Sequence, residues 1–144
     1  MRRRLLAGLL LGCLSACGGS DSTGPTSDEL KGFWVYQHLG SGGGTTCTET
    51  GSIQFQPAAS RLTGTFDGRG GCESSSLAFD YAKTGVVAGQ VSGESVEFTL
   101  TASLESCIYQ GKLDSATPDQ VSGAMVCTPS NGDAPRQGTW SMRR

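Results

Sequence analysis

The sequence predicts an all-β fold, an antiparallel up-and-down (meander) barrel of about eight strands. Three observations carry that expectation. Glycine supplies 22 of the 144 residues, and Ser and Thr are plentiful while long helix-forming side chains are few, a balance that suits strands and turns better than helices. A short phrase also recurs: a residue, a polar residue, glycine, any residue, then a large apolar one. It appears as Leu62-Thr63-Gly64-Thr65-Phe66, Val121-Ser122-Gly123-Ala124-Met125 and Arg136-Gln137-Gly138-Thr139-Trp140, with Leu30-Lys31-Gly32-Phe33-Trp34 opening the series and Val91-Ser92-Gly93 a partial copy. These glycines fall at 32, 64, 93, 123 and 138, so a strand with its turn takes about 15 residues and a hairpin about 30. Finally, apolar and polar residues alternate, most plainly in Val96-Glu97-Phe98-Thr99-Leu100, as in a half-buried antiparallel strand. Eight such strands form either a sandwich or a closed barrel. Closure removes exposed sheet edges, and glycine within strands permits the tight coiling of a small barrel, so the barrel is favoured.

Taken in order, strands are expected near 32–38, 50–56, 61–67, 84–91, 95–102, 105–113, 119–127 and 136–143. Ile53 and Phe55 share one face, as do Leu62 and Phe66 across a turn at Pro57-Ala58-Ala59-Ser60. Leu77, Phe79 and Tyr81 also alternate, which places a ninth short strand or a helical turn in the link after Cys72. The run Gly40-Ser41-Gly42-Gly43-Gly44 reads as a floppy hairpin loop. A phosphate loop would need a following lysine and a helix, and Thr45 and Thr46 stand there instead. Asp67-Gly68-Arg69-Gly70-Gly71 reads as a turn, since Asp67 and Glu73 are too few acids for a calcium loop.

Four cysteines fall within the domain: Cys47, Cys72, Cys107 and Cys127. An even number in an exported domain reads as two disulfides, for which sequence alone allows three pairings. Strand register narrows the choice. A hairpin of 50–56 with 61–67 brings Cys47 opposite Cys72, and a hairpin of 105–113 with 119–127 brings Cys107 opposite Cys127 and Gly111 opposite Gly123. Each bridge then zips the open end of one hairpin, and loops of this size are worth about 3 kcal/mol each in the chain-entropy account. A four-cysteine zinc site lacks the CxxC spacing it would need, and no metal or other cofactor is expected.

The N-terminus reads Met1-Arg2-Arg3-Arg4 and then Leu5 to Leu14, almost all apolar. Positive charge, a short apolar run and small residues make a bacterial export signal, too short to remain as a spanning helix. Leu14-Ser15-Ala16-Cys17 resembles the lipobox of bacterial lipoproteins, where the chain is cut before the cysteine and that cysteine is acylated. The resemblance implies a signal peptide at 1–16, lipidation at Cys17 and a membrane-anchored mature chain. Cys13 is a second candidate with a shorter apolar run. At about 0.8 kcal/mol per buried methylene, several acyl chains give a stable anchor where one is marginal. Glycine, not aspartate, follows Cys17, which under the sorting rule of enteric bacteria implies the outer membrane. Residues 17–29 hold no sizeable apolar side chain before Leu30 and read as a flexible tether to a domain at 30–144, with a short helical turn near Ser27 and Asp28 conceivable.

Without residues 1–16 the chain loses three of its 11 basic residues, leaving 8 against 13 acidic ones and a formal net charge of −5. Basic patches with interleaved aromatics are missing, so no nucleic acid is expected as a partner. Catalytic chemistry is equally thin. The single histidine is His38, and a triad of His38 with Ser74, Ser75 or Ser76 and Asp67 or Asp80 has no nucleophile elbow behind it. No catalytic residue is assigned, and a non-enzymatic role is expected. Tyr36, Tyr81 and Tyr109 either line a pocket or pack on the barrel wall against glycine.

Gly32-Phe33-Trp34 on the first strand, Leu62 to Phe66, and Gly138-Thr139-Trp140 with Arg143 and Arg144 at the end resemble the lipocalin and avidin group of eight-stranded barrels. The longer internal lipocalin motifs and a set of biotin-contacting residues are absent, so no ligand transfers with the resemblance. It implies that Trp34 plugs one end, with Arg143 or Arg144 over it in a cation–π contact worth about 0.5–2 kcal/mol. Two binding roles follow as expectations. One is a carrier that holds a small apolar molecule in the barrel mouth, lined by Trp34, Tyr36, Phe98 and Tyr109. The other resembles periplasmic inhibitors of lysozyme or secreted proteases, with a filled interior and a protruding loop at 39–49 or 128–135. The overall expectation is a lipid-anchored binding or interaction module of the bacterial cell envelope.

Overall fold

A computed structural model describes residues 26–114 and 116–144; the expected signal peptide and the expected lipidation site at Cys17 lie outside the described residues. Eight strands run β1 (Gly32–Gly42), β2 (Thr45–Ala58), β3 (Arg61–Ser74), β4 (Ala78–Ser92), β5 (Ser95–Thr101), β6 (Glu105–Leu113), β7 (Gln120–Pro129) and β8 (Arg136–Arg143). Each pairs antiparallel with the next, and β8 closes on β1 from Val35↔Arg143 to Ser41↔Gln137. The barrel, its meander order and both disulfides agree with the sequence-based expectation. Cys47↔Cys72 and Cys107↔Cys127 are direct cross-strand partners and are bonded, and Gly111 faces Gly123.

Alternation places one face of every strand inside. Trp34, Ile53, Phe55, Leu62, Phe66, Phe98, Leu100, Tyr109, Met125 and Trp140 are buried and form one core, which is the apolar burial that drives closure. The interior is filled by aromatic side chains. Phe98 stacks on Tyr109 with centroids 5.1 Å apart, and Trp140 stands edge-on to both, geometries favoured by the ring quadrupoles. The four residues expected to line a ligand space, Trp34, Tyr36, Phe98 and Tyr109, are each no more than 1% exposed and are packed into this interior.

Several elements differ from the sequence-based reading, each for a physical reason. The first four strands extend well beyond their expected limits. The stretch 39–49 is strand and not a protruding loop: Gly43 and Gly44, at φ +58° and +77°, make a two-residue turn between Gly42 and Thr45, the conformation that glycine permits and that matches hairpin twist. Asp67 to Gly71 lies within β3, and Phe79 and Tyr81 belong to the start of β4 with Leu77 just before it, so the described residues hold no separate ninth strand. Upstream, a 3-10 turn at Ser27–Leu30 is already docked and takes up the last three residues of the expected tether. The Ser27 hydroxyl donates to the Ala59 carbonyl, and Leu30 is fully buried.

That turn caps one end of the barrel. Trp34 lies behind it, its indole N–H donating to the Leu30 carbonyl at 2.9 Å. Arg144, not Arg143, covers the Trp34 ring, at 4.9 Å from its centroid. Strand parity explains the choice: Met142 points inward, so Arg143 points out beside Val35, while Arg144 lies just past the strand and turns back. Arg144 also reaches the Asp119 carboxylate at 2.6 Å.

Candidate functional site

The opposite end, or mouth, carries the connections after β1, β3, β5 and β7. Its inward positions are polar. Glu49 on β2 is 1% exposed and lies between His38 on β1 and Gly70 on β3. Its room comes from glycine. A Cβ on Gly68 would lie 2.6 Å from Glu49 Oε1 and against the Tyr36 hydroxyl, and one on Gly70 would lie 2.7 Å from the Tyr81 hydroxyl. Gly51 makes the same allowance for the Tyr36 ring. The tyrosines therefore pack on the wall against glycine, and they also carry chemistry.

A buried carboxylate must be paired and hydrogen-bonded, and Glu49 is. The Tyr36 hydroxyl donates to Oε1, the Tyr81 hydroxyl donates to Oε2 at 2.9 Å, and Lys83 Nζ lies 2.7 Å from Oε2. Lys83 continues to Glu105, and Glu105 to Arg136. Two carboxylates thus face two cations, with no formal net charge. His38 lies beside this chain, its Nδ1 2.7 Å from the Tyr109 hydroxyl and its Nε2 4.0 Å from Glu49. Burial, the largest effect, lowers the His38 pKa below the ordinary 6.5 against the opposing pull of Glu49. Burial first and then the Glu49 charge push the Tyr36, Tyr81 and Tyr109 hydroxyls well above the usual tyrosine range. Tyr36 and Tyr81 donate to the Glu49 carboxylate and so hold it in place.

Above the network lies a cavity of about 430 Å³, lined by Phe79, Tyr81 and Lys83 of β4, Ala102 to Glu105, and Pro129, Asn131, Asp133 and Arg136. Its volume falls within the range of about 300–1,000 Å³ typical of ligand clefts. A larger groove of about 860 Å³ follows the outer wall, where its charged residues, Lys112, Asp114 and Arg143, are exposed to solvent. The mouth cavity exists because β5 is short. The β4–β5 ladder ends at Val86↔Thr101, so residues 78–85 pair only with β3 and the wall is notched. Of the two loops expected to protrude, 128–135 is the one that reaches this rim.

None of Trp34, Phe98 or Tyr109 lines the cavity, and Tyr36 lies below it, hydrogen-bonded to Glu49. The serines and aspartates considered for a triad are not gathered at His38: Asp67 accepts from Ser52 on the outer wall, and the Ser74 hydroxyl is engaged with Leu77. Glu105, Cys107 and Cys127 lie close enough to suggest metal ligands, but the two sulfurs are bonded to each other. Glu49, Lys83, Glu105 and Arg136 escaped sequence reasoning. Their signal was parity: Glu49 is in phase with Cys47 and Ile53, Lys83 with Val87 and Val91, Glu105 with Cys107, and Arg136 with Trp140. The expected strands began at 50 and 84, one residue too late to include Glu49 and Lys83.

Neither a protein-family model nor a curated protein matches the chain. Among solved structures it is similar to a de novo designed fluorescence-activating β-barrel, at a TM-score of 0.53 and 22% identity over 81% of this chain and 94% of that one. A second similar structure is the S-type phycobiliprotein lyase of Guillardia theta, at a TM-score of 0.46 and 8% identity over 81% of this chain and 89% of that one. The first likeness shows the fold, an eight-stranded antiparallel β-barrel.

Proposed function

We propose that the chain is a non-enzymatic binding module of the bacterial cell envelope, anchored by lipid at Cys17, and that it engages its partner at the mouth and not inside the barrel. The observation that carries this reading is the contrast between an interior filled by stacked aromatics and a cavity of about 430 Å³ at the rim. A carrier that encloses an apolar ligand, as in lipocalins, would need the space that Phe98, Tyr109 and Trp140 occupy. A filled barrel that works through its rim accords better with the protein-binding reading, inhibitors of hydrolases included. The resemblance of Leu14-Ser15-Ala16-Cys17 to a lipobox supports the anchor. The residue after Cys17 supports an outer-membrane address.

The test of the site uses 8-anilinonaphthalene-1-sulfonate, an apolar fluorescent probe, titrated into the full chain. Leu104→Asp, at a rim position 78% exposed, should abolish the fluorescence gain. Phe33→Asp, on the outer wall and 58% exposed, should leave it intact. Equal response of the two variants contradicts mouth binding. Metabolic labelling with an alkyne fatty acid tests the anchor: label lost in Cys17→Ser supports it, and label retained refutes it.

A further inference from the structure

We infer that the mouth receives an extended segment of another polypeptide, which adds as a strand to the free edge of β4, seats a large apolar side chain in the cavity and sets a basic side chain against Asp80. The inference deepens the mouth-binding reading and rests on it. It starts from the unequal lengths of β4 and β5. Residues 78–85 pair with β3 from Glu73↔Ala78 to Phe66↔Gly85, while their other side has no strand, and no backbone hydrogen bond joins that side to any described residue. Eight residues leave about 26 Å of open ladder.

Such edges template pairing with another chain unless they are blunted by proline, shortness, a bulge, charged side chains or a covering loop. This edge reads Ala78-Phe79-Asp80-Tyr81-Ala82-Lys83-Thr84-Gly85. It holds no proline and is eight residues long, and the charge of its inward lysine, which unpaired would guard the edge, is neutralised by Glu49 and Glu105. The cavity lies along the inner side of the same edge, with Phe79, Tyr81 and Lys83 on one flank and Ala102 and Leu104 on the other. Alternate side chains of an added strand therefore enter it, which is how strand addition acquires specificity. Phe79, at 48% exposure, and Leu104 offer apolar surface to the first of them. On the outer side the edge presents Asp80, and the adjoining face of β3 presents Asp67, Arg69 and Glu73, so three acids stand against one cation. A basic residue complements this face. A second copy pairing through the same edge would set cavity against cavity and bring two Asp80 side chains to one face, filling neither cavity.

The test follows amide hydrogen exchange of the full chain with a capped peptide of alternating lysine and valine around a central tryptophan. The expected result is new protection within 78–85. Two further peptides carry N-methyl groups on alternate amides; because a strand bonds through one edge at a time, one should retain protection and the other lose it. Asp80→Lys should weaken the lysine peptide and favour its glutamate counterpart. Absence of protection while the anilinonaphthalene probe still enters the mouth overturns the strand inference and leaves the mouth reading standing. If neither ligand binds, both fail. Protection of 78–85 without peptide that vanishes on dilution overturns the inference in favour of self-pairing.

Discussion

The two ends of the barrel are built by different physics. At the capped end the inward residues are apolar: Leu30, Trp34, Leu62, Leu113, Val121 and Met142 are all at most 2% exposed. At the mouth the inward positions hold two disulfides and the chain Glu49, Lys83, Glu105 and Arg136, with His38 alongside. Apolar burial closes the first end completely. Polar side chains hold the second end in shape without filling it, and what remains is a cavity with a partly open edge. Rigid positioning of a receptive rim is worth more to binding than extra core, since it lowers the ordering cost of association.

The largest expected effects probe this contrast directly. Glu49→Ala leaves Lys83 and Arg136 sharing Glu105 alone and takes the acceptor from the Tyr36 and Tyr81 hydroxyls, and should cost about 3–5 kcal/mol, as removal of one member of a buried charge network does. Trp34→Ala should cost a similar amount, about 3–5 kcal/mol, by cavity formation at the other end. Denaturant unfolding measures both. Charge separates them: Glu49→Gln should recover part of the loss, because the amide oxygen still accepts from one of the two tyrosine hydroxyls, whereas no polar replacement should rescue Trp34. Equal losses for Glu49→Gln and Glu49→Ala would break the comparison.

Next in size, the double variant Cys107→Ser with Cys127→Ser should lose about 2–4 kcal/mol, with faster amide exchange confined to the mouth. Faster exchange around Trp34 instead would show that the ends are not separately supported. His38 gives a pH signature. Its folded pKa lies below the ordinary 6.5, so the unfolded chain takes up the proton first. The stability it supports is complete above that value and is lost as pH falls from 6.5 towards the lowered folded pKa, at no more than about 1.4 kcal/mol per pH unit. A His38→Gln variant should flatten that part of the stability–pH curve. Smallest of all, Arg144→Ala should cost about 0.5–1 kcal/mol through the cation–π contact on Trp34, and Arg143→Ala should have no measurable effect.

How much of this was legible in the sequence follows the same division. The repeat of glycine and large apolar residues marked the barrel and its order, and hairpin register brought Cys47 to Cys72 and Cys107 to Cys127 before any coordinates. Those features depend on local period and chain connectivity. The mouth does not. Glu49 and Lys83 each sit where a polar residue usually means the end of a strand, and only pairing across three strands turns them inward as partners. Gly68 and Gly70 resembled a turn because their function, making room for Tyr36, Glu49 and Tyr81, exists only after folding. Trp34, Tyr36, Phe98 and Tyr109 pack in the interior and do not line the cavity, because side-chain volume cannot be summed from a sequence into filled or hollow.

The central claim is that ligands meet this barrel at its mouth over a closed interior. Chemical-shift mapping of the isotopically labelled full chain, titrated with 8-anilinonaphthalene-1-sulfonate, tests it most directly. The account predicts shifts concentrated at Phe79 to Thr84, Ala102 to Glu105 and Pro129 to Arg136, with the Trp34 indole unmoved. Shifts centred on Phe98, Tyr109 and Trp140 would place the ligand inside the barrel and contradict it.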